Sequence, residues 1–160
     1  MMKEVEGDIL LTKAQALAHS VAVDDDFKHG LSMQLKGLWP AMYKDFRHFC
    51  KTHAPKEGDI WSWKGPGTPV IFNLFTQSAP PMSGGIPSKA SITHVNHALK
   101  NLVKELNHQS IKSLAITKIG TGVGGLDWTE VKPVLNKDLS HYEGQVYVYA
   151  VYKARVVAKE

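Results

Sequence analysis

The feature that most constrains the fold is a short segment with a single polar residue. Val70–Phe75 reads VIFNLF, a nearly continuous apolar run bounded by turn-forming residues. Such a run is typical of a strand covered on both faces, because a half-exposed strand alternates polar and apolar residues. Leu114–Ile119 repeats this pattern later in the chain. Two strands of this kind predict a sheet with helices packed on both sides.

Helical periodicity alternates with the strands. Apolar residues recur at helical spacing from four starting points, at Gly30, Pro40, Ile92 and Trp128. Asp127 and Glu130 predict a capping box at the last of these helices. Further strands are predicted at Leu17–Val23, Ile60–Trp63 and Gln145–Tyr152, and Thr76–Ser88 is predicted to be a loop. This order predicts an α/β fold over residues 1–160, a single-domain three-layer α/β/α sandwich with a mixed central sheet.

Composition excludes several classes of protein. A length of 160 residues and 43% hydrophobic residues fit one globular domain, and a single cysteine, Cys50, excludes a disulfide framework. The longest apolar runs are too short to cross a membrane, and Met1–Leu11 does not resemble a signal peptide. We expect a cytoplasmic monomer with no metal or cofactor. The net charge of +4 favours an anionic ligand without identifying a nucleic acid.

A glycine-rich loop gives the strongest functional signal. Gly120–Asp127 reads GTGVGGLD and joins a buried strand to a capped helix. Backbone N–H groups in such a turn, with the positive end of the helix dipole, suit a diphosphate. A Cβ at Gly122 or Gly124 is then expected to block the ligand with little effect on melting temperature. The glycines match GxGxxG, yet only one helix and one strand follow, which argues against a dinucleotide-binding Rossmann fold. The alternative is a tight strand–helix turn without a ligand.

Two further segments are candidates. The loop Asp24–Gly30 again leads from a strand to a helix, so the two loops together would suit a ligand with two phosphates. The carboxylates of Asp24, Asp25 and Asp26 could bind a ribose hydroxyl or a cation, or form a solvated acidic turn. Asp8 stands at a strand end, where a carboxylate can accept a hydrogen bond from an adenine amino group or cap a turn.

From about Val5 to Tyr152 the chain resembles a macrodomain, the α/β/α module that binds ADP-ribose. The resemblance rests on the opening GDI, the strand end Ala18-His19-Ser20-Val21, the helix at Gly30 and the late IGTGVGGLDW. The last motif resembles the branch that contains the terminal ADP-ribose protein glycohydrolase and bacterial antitoxins that remove ADP-ribose from DNA. VIFNLFTQ is also similar to the yeast ADP-ribose-1″-phosphate phosphatase group.

The resemblance implies a set of ligand contacts. Asp8 would bind the adenine amino group beside the Ile9 backbone, and Tyr149 would border the adenine or simply pack in the sheet. The loop Asp26–Gly30 and the loop Gly120–Gly125 would enclose the pyrophosphate and distal ribose from two sides. The predicted ligand-binding residues are Asp8, Ile9, Ser20, Lys28, His29, Gly30, Gly120, Thr121, Gly122, Val123, Gly124, Gly125 and Tyr149.

The chain departs from the family's catalytic patterns. The asparagine-rich signature of the commoner macrodomain hydrolases is absent, since His19-Ser20-Val21-Ala22 stands there. The lysine of the glycohydrolase branch corresponds to Gln77, and its acidic partner corresponds to Gly124. The family's Gly-x-Gly in the first loop becomes Lys28-His29-Gly30. The resemblance therefore predicts retention of the binding fold without the lysine mechanism.

Three functions stay open on the sequence alone. The first is hydrolysis of an ADP-ribosyl or ADP-ribose-1″-phosphate type substrate, with His29 and Asp26 as the catalytic residues that activate water. In that case the alternative role for His29 is contact with phosphate or solvent. The second is non-catalytic binding of ADP-ribose or of an ADP-ribosylated protein or nucleic acid. The third is a basic nucleic-acid-binding module, which lacks the expected aromatic residues within a basic stripe.

Overall fold

A computed structural model describes residues 1–82, 85 and 88–160. The strands are β1 (Met2–Gly7), β2 (Ala16–Ala22), β3 (Ile60–Trp63), β4 (Val70–Gln77), β5 (Ser113–Thr117) and β6 (Gln145–Tyr152). The α-helices are α1 (Gly30–Leu38), α2 (Pro40–His53), α3 (Ile92–His108) and α4 (Trp128–Leu139), and a 3₁₀ turn covers Ile9–Leu11. Within these described residues no helix is long and apolar enough to cross a membrane.

The strands form one sheet in the order β1-β6-β5-β2-β4-β3. Neighbouring strands are parallel from β1 to β4, whereas the edge strand β3 is antiparallel to β4. The prediction of a mixed-sheet α/β sandwich is confirmed. The carboxyl ends of the parallel strands share one edge of the sheet, which is where α/β proteins bind ligands.

Two hydrophobic cores lie on opposite faces of the sheet, and β4 supplies both. Phe72 and Leu74 pack towards α3 and α4, whereas Ile71 and Phe75 pack towards α1 and α2. This alternation explains why the strand is apolar at nearly every position. Cys50 of α2 is buried in the second core and packs there as a hydrophobic residue. Burial raises the pKa of its thiol, which disfavours the reactive thiolate.

Several predicted boundaries move by a few residues. Thr76 and Gln77 extend β4 into the segment predicted as a loop, and residues 83, 84, 86 and 87 of that segment lie outside the described residues. The strand predicted over Leu114–Ile119 ends at Thr117. Asp127 caps α4 as predicted, but its carboxylate accepts from the backbone and hydroxyl of Thr129 instead of pairing reciprocally with Glu130.

Candidate functional site

A cleft of about 490 Å³ opens at the carboxyl ends of the parallel strands. Its walls come from the ends of β1, β2, β4, β5 and β6, from the start of α1 and from the glycine-rich loop after β5. It is lined by Gly7, Ile9, His19, Ser20, Asp25, His29, Gly30, Leu31, Ser32, Gln34, Gln77, Thr117, Lys118, Gly120, Thr121, Gly122, Val123, Gly124, Tyr149, Ala150 and Tyr152.

The glycine-rich loop presents free backbone donors to this cleft. Leu126 N–H donates to the Gly120 carbonyl at 2.9 Å and Gly125 N–H donates to the Gly122 carbonyl at 3.0 Å, which closes the loop on itself. The amides of Gly122, Val123 and Gly124 between these bonds have no protein partner in the described part of the chain. Three consecutive unpaired N–H groups in residues that line the cleft are suited to an anion.

The loop conformation itself explains one of the glycines. Gly120 has φ of 75°, in the left-handed region that residues with a Cβ rarely adopt. Its amide donates to Ser20 Oγ at 2.8 Å, so the loop is anchored to the end of β2. The predicted site residue Ser20 therefore positions the loop as well as lining the cleft.

The first turn of α1 forms a second set of donors. The first intrahelical bond is from Met33 N–H to the His29 carbonyl at 3.3 Å, so the amides of Gly30, Leu31 and Ser32 are not used within the helix. These three residues line the cleft. The His29 side chain also lines the cleft, is exposed, and makes no capping hydrogen bond. An anion in the cleft would thus meet backbone donors from two directions.

The acidic loop divides into residues with different environments. Asp25 is buried and accepts from the amides of Ala22 and Phe27, both at 2.9 Å, so it holds the loop shape. Burial raises the pKa of Asp25, while these backbone bonds oppose that shift. Asp24 is exposed and Asp26 is half-buried, and both border a separate cavity of about 520 Å³.

Asp26 and Lys28 do not line the cleft. The Lys28 ammonium lies 3.9 Å from the Asp26 carboxylate, and 63% of its side chain is exposed. A direct role in the cleft for either residue stays a prediction. Gly125, predicted to bind the ligand, also lies outside the lining residues.

The far end of the cleft contains Ile9 and Tyr149. Asp8, predicted to bind the adenine, is not among the lining residues. It is buried, and its carboxylate accepts from the amides of Leu10 at 3.1 Å and Arg155 at 3.0 Å. Tyr149 packs in the core and also lines the cleft, while its hydroxyl donates to Glu160 at 2.6 Å. Burial and that carboxylate raise the pKa of Tyr149 far above its usual value.

Gln77 stands at the cleft end of β4 and has a structural bond. Its side chain is buried, and Nε2 donates to the Ser88 carbonyl at 2.9 Å. The amide thus ties β4 to the segment that precedes α3. A neutral side chain with this partner supplies no nucleophile to the cleft.

Sequence reasoning missed a buried polar pair at the β2/β4 end of the cleft. His19 of β2 lies directly beside Asn73 of β4, and His19 Nε2 is 2.6 Å from Asn73 Oδ1. Ser32 of α1 lies on the other side of the imidazole, with Oγ 3.4 Å from Nδ1. The available signal was a single polar residue in VIFNLF and a histidine in a mostly apolar strand.

Comparison with known proteins identifies the family. A protein-family model described as the Macro domain matches residues 40–135. The chain belongs to the macrodomain family. This macrodomain is 30% identical over 153 residues to a DNA ADP-ribosyl glycohydrolase of Thermus aquaticus, covering 93% of the chain and 41% of that relative. It is 26% identical to a DNA ADP-ribosyl transferase–DNA ADP-ribosyl glycohydrolase fusion protein of Thermosipho africanus, covering 95% of the chain and 42% of the relative.

Solved structures show the same fold. The macrodomain of Thermus aquaticus DarG superposes with a TM-score of 0.83 at 28% identity, over 94% of this chain and 98% of that one. Thermosipho africanus DarTG in complex with ADP-ribose superposes with a TM-score of 0.84 at 24% identity, over 95% of this chain and 41% of that one. The predicted resemblance to the macrodomains of bacterial antitoxins is confirmed. The chain spans about two-fifths of the length of the first two curated relatives.

Proposed function

We propose that this macrodomain binds ADP-ribose, free or as the ADP-ribosyl group of a nucleic acid or protein. The observation that carries the proposal is the order of chemical groups along the cleft. Ile9 and Tyr149 lie at the β1/β6 end, the free amides of the glycine-rich loop follow β5, and His19 and Gln77 lie at the β2/β4 end. This order runs from an apolar wall through a set of anion-binding donors to a polar wall.

The order matches the chemistry of ADP-ribose. Its adenosine would lie against Ile9 and Tyr149, its diphosphate between the glycine-rich loop and the first turn of α1, and its distal ribose beside β2 and β4. Backbone N–H groups at a helix start and in a glycine loop are well suited to a diphosphate, because they donate without needing a charged side chain. The net charge of +4 supports an anionic ligand.

Titration calorimetry with ADP-ribose tests the proposal. We expect a micromolar dissociation constant, a binding free energy on the order of −8 kcal/mol. Adenosine alone should bind much more weakly, because it leaves the free amides without an anion. Absence of heat with a protein that melts cooperatively would overturn the proposed function, and equal affinity for adenosine would overturn the assigned diphosphate position.

Hydrolysis of an ADP-ribosyl linkage is the second candidate function. The names of the relatives support it, since the chain aligns with DNA ADP-ribosyl glycohydrolases over 93–95% of its length. His29 supports it as well, because its exposed imidazole lies on the cleft wall and could accept a proton from water. Release of ADP-ribose from an ADP-ribosylated oligonucleotide, lost in His29→Ala with ADP-ribose binding intact, would support it. No release from that oligonucleotide by the wild-type protein would leave binding as the function.

A further inference from the structure

Three buried polar side chains connect the interior of the sheet to the wall of the cleft. Asn73 Nδ2 donates to the Trp61 carbonyl at 3.3 Å, and Asn73 Oδ1 is 2.6 Å from His19 Nε2. His19 Nδ1 is 3.4 Å from Ser32 Oγ, a long hydrogen bond. Asn73 is 0%, His19 2% and Ser32 9% exposed, and the last two line the cleft.

The hydrogen bonds that link these side chains all run in one direction, from Ser32 towards Trp61. The Asn73 amide donates its N–H to Trp61, so the oxygen that faces His19 can only accept. His19 Nε2 must therefore carry the proton. Burial lowers the pKa of His19 to about 4, so the imidazole is neutral and its Nδ1 has a free lone pair. The Ser32 hydroxyl then donates its single hydrogen to Nδ1.

This direction decides what Ser32 offers a ligand. With its hydrogen directed at His19, the Ser32 oxygen has only lone pairs left for the cleft, so it acts there as an acceptor. The neighbouring amides of Gly30 and Leu31 are donors. An ionised phosphate oxygen is an acceptor and pairs with those amides, but it has no hydrogen to give to Ser32. A sugar hydroxyl, in contrast, has a hydrogen that it can donate to the Ser32 oxygen.

The position of Ser32 along the sheet indicates which of the two riboses of ADP-ribose it contacts. Ser32 contacts His19 on β2, and β2 is separated from β6 by β5, so Ser32 lies about two strand spacings, roughly 10 Å, from the wall formed by Tyr149. The glycine-rich loop after β5 lies between the two ends. A ligand with its adenosine at Ile9 and Tyr149 therefore places its second ribose near Ser32.

We infer that Ser32 binds a hydroxyl of the distal ribose, and that His19 and Asn73 are positioning residues that hold the Ser32 oxygen as an acceptor. The inference rests on the proposed function, and it assigns a specificity role to side chains of β2, β4 and α1 that are not part of either glycine-containing loop. It also gives a reason for two polar residues, His19 and Asn73, that are buried within the central strands of the sheet.

Calorimetry on two ligands tests the contact. Ser32→Ala should weaken ADP-ribose binding about tenfold, the scale of one hydrogen bond, and should change ADP binding less than twofold, because ADP lacks the distal ribose. Ser32→Thr keeps the hydroxyl and should recover most of the affinity. Equal losses for ADP-ribose and ADP would overturn the inference. Failure of the folded wild-type protein to bind ADP-ribose would defeat the proposed function itself and this ligand assignment with it.

Nuclear magnetic resonance tests the positioning role without relying on affinity. Long-range ¹H–¹⁵N spectra at pH 7 should show His19 as the tautomer protonated at Nε2. Asn73→Ala removes the acceptor of that proton, so the signal of the Nε2–H tautomer should weaken and ADP-ribose affinity should fall while ADP affinity holds. A wild-type His19 protonated at Nδ1, or at both nitrogens, would overturn the assigned direction of the Ser32 hydroxyl.

Discussion

The hydroxyl of Ser20 accepts a hydrogen bond of 2.8 Å from the amide of Gly120, a residue 100 positions later in the chain. This bond joins the end of β2 to the start of the glycine-rich loop, the two segments that line the centre of the cleft. It therefore fixes the loop before any ligand arrives, and preorganisation of this kind lowers the entropic cost of binding.

Removing this bond should weaken binding more than it weakens the fold. Ser20→Ala leaves the Gly120 amide without its acceptor and frees the loop, so we expect ADP-ribose affinity to fall by about 1 kcal/mol. The bond is only partly buried, so the free energy of unfolding should fall by less than that. Calorimetry and chemical denaturation measure the two effects. An unchanged affinity in a folded Ser20→Ala protein would show that the bond does not organise the loop.

The glycine-rich loop offers a matched pair of substitutions. A Cβ at Gly122 meets no atom within 4 Å, whereas a Cβ at Gly124 lies 2.5 Å from the Gly120 carbonyl oxygen and 2.9 Å from the Ala90 Cβ. The sequence-based expectation that a Cβ at either position has little effect on melting temperature is therefore wrong for Gly124, where backbone lies in the way.

Valine at each position should separate binding from stability. Gly122→Val should abolish ADP-ribose binding with little change in melting temperature, because Gly122 lines the cleft and a Cβ there meets only open space. Gly124→Val should lower the melting temperature by several degrees, since backbone must move. Thermal melts with and without ADP-ribose make the measurement. A stable Gly122→Val protein that still binds would exclude the glycine-rich loop from the diphosphate site.

The fold was largely predictable because its signals are local. Continuous apolar strands, helical periodicity and the Asp127 cap depend on residues close together in sequence, and each predicted an element that the structure contains. One boundary error occurs where polar residues continue a strand, since Thr76 and Gln77 extend β4. The Gln77 side chain is buried and donates to the carbonyl of Ser88, 11 positions away. No local sequence pattern predicts that bond.

The site was predictable only in part, for the same reason. Glycine loops can be found by composition, and most of the loop residues predicted to bind line the cleft. His19 and Ser32 come together because β2 and α1 pack across the cleft, and Asn73 joins them through the parallel register of β2 and β4. Such a network depends on strand register and helix placement. Local sequence patterns define neither the strand register nor the helix placement.

Burial of His19 predicts a pH dependence of stability. The native imidazole has a pKa of about 4, compared with 6.5 in an unfolded chain, so between these values the unfolded state binds the extra proton. The contribution of the neutral His19 side chain to the free energy of unfolding is fully present above pH 6.5 and is lost as the pH falls to 4. The shift corresponds to about 3 kcal/mol.

A substitution isolates the contribution of His19 from those of other titrating groups. His19→Gln should flatten the rise of unfolding free energy between pH 4.5 and 6.5, even though the variant is less stable throughout. Asp25 and Asp138, whose pKa values burial raises, titrate in both proteins, so the difference between the two profiles isolates His19. Denaturant unfolding at four or five pH values provides the profiles. Parallel profiles would mean that His19 is not buried as a neutral group.

The last prediction concerns catalysis at Gln77. The glycohydrolase branch that the sequence resembles uses a lysine amine to attack the anomeric carbon, and the resemblance assigns that position to Gln77. The Gln77 amide donates to the Ser88 carbonyl at 2.9 Å. An amide neither attacks carbon nor titrates, so we expect negligible release of ADP-ribose from ADP-ribosylated glutamate.

Gln77→Lys keeps a donor of similar reach for Ser88 and introduces an amine at the end of β4. The variant should therefore fold, and the deprotonated amine should add to the C1 aldehyde of ring-opened ADP-ribose and lose water to give an imine. Added borohydride reduces this imine to a stable adduct that mass spectrometry detects. Gln77→Met, which lacks both donor and amine, is the control and should form none. Robust release from ADP-ribosylated glutamate by the wild-type protein would show that another group of the cleft, His29 first among them, performs the reaction without a lysine.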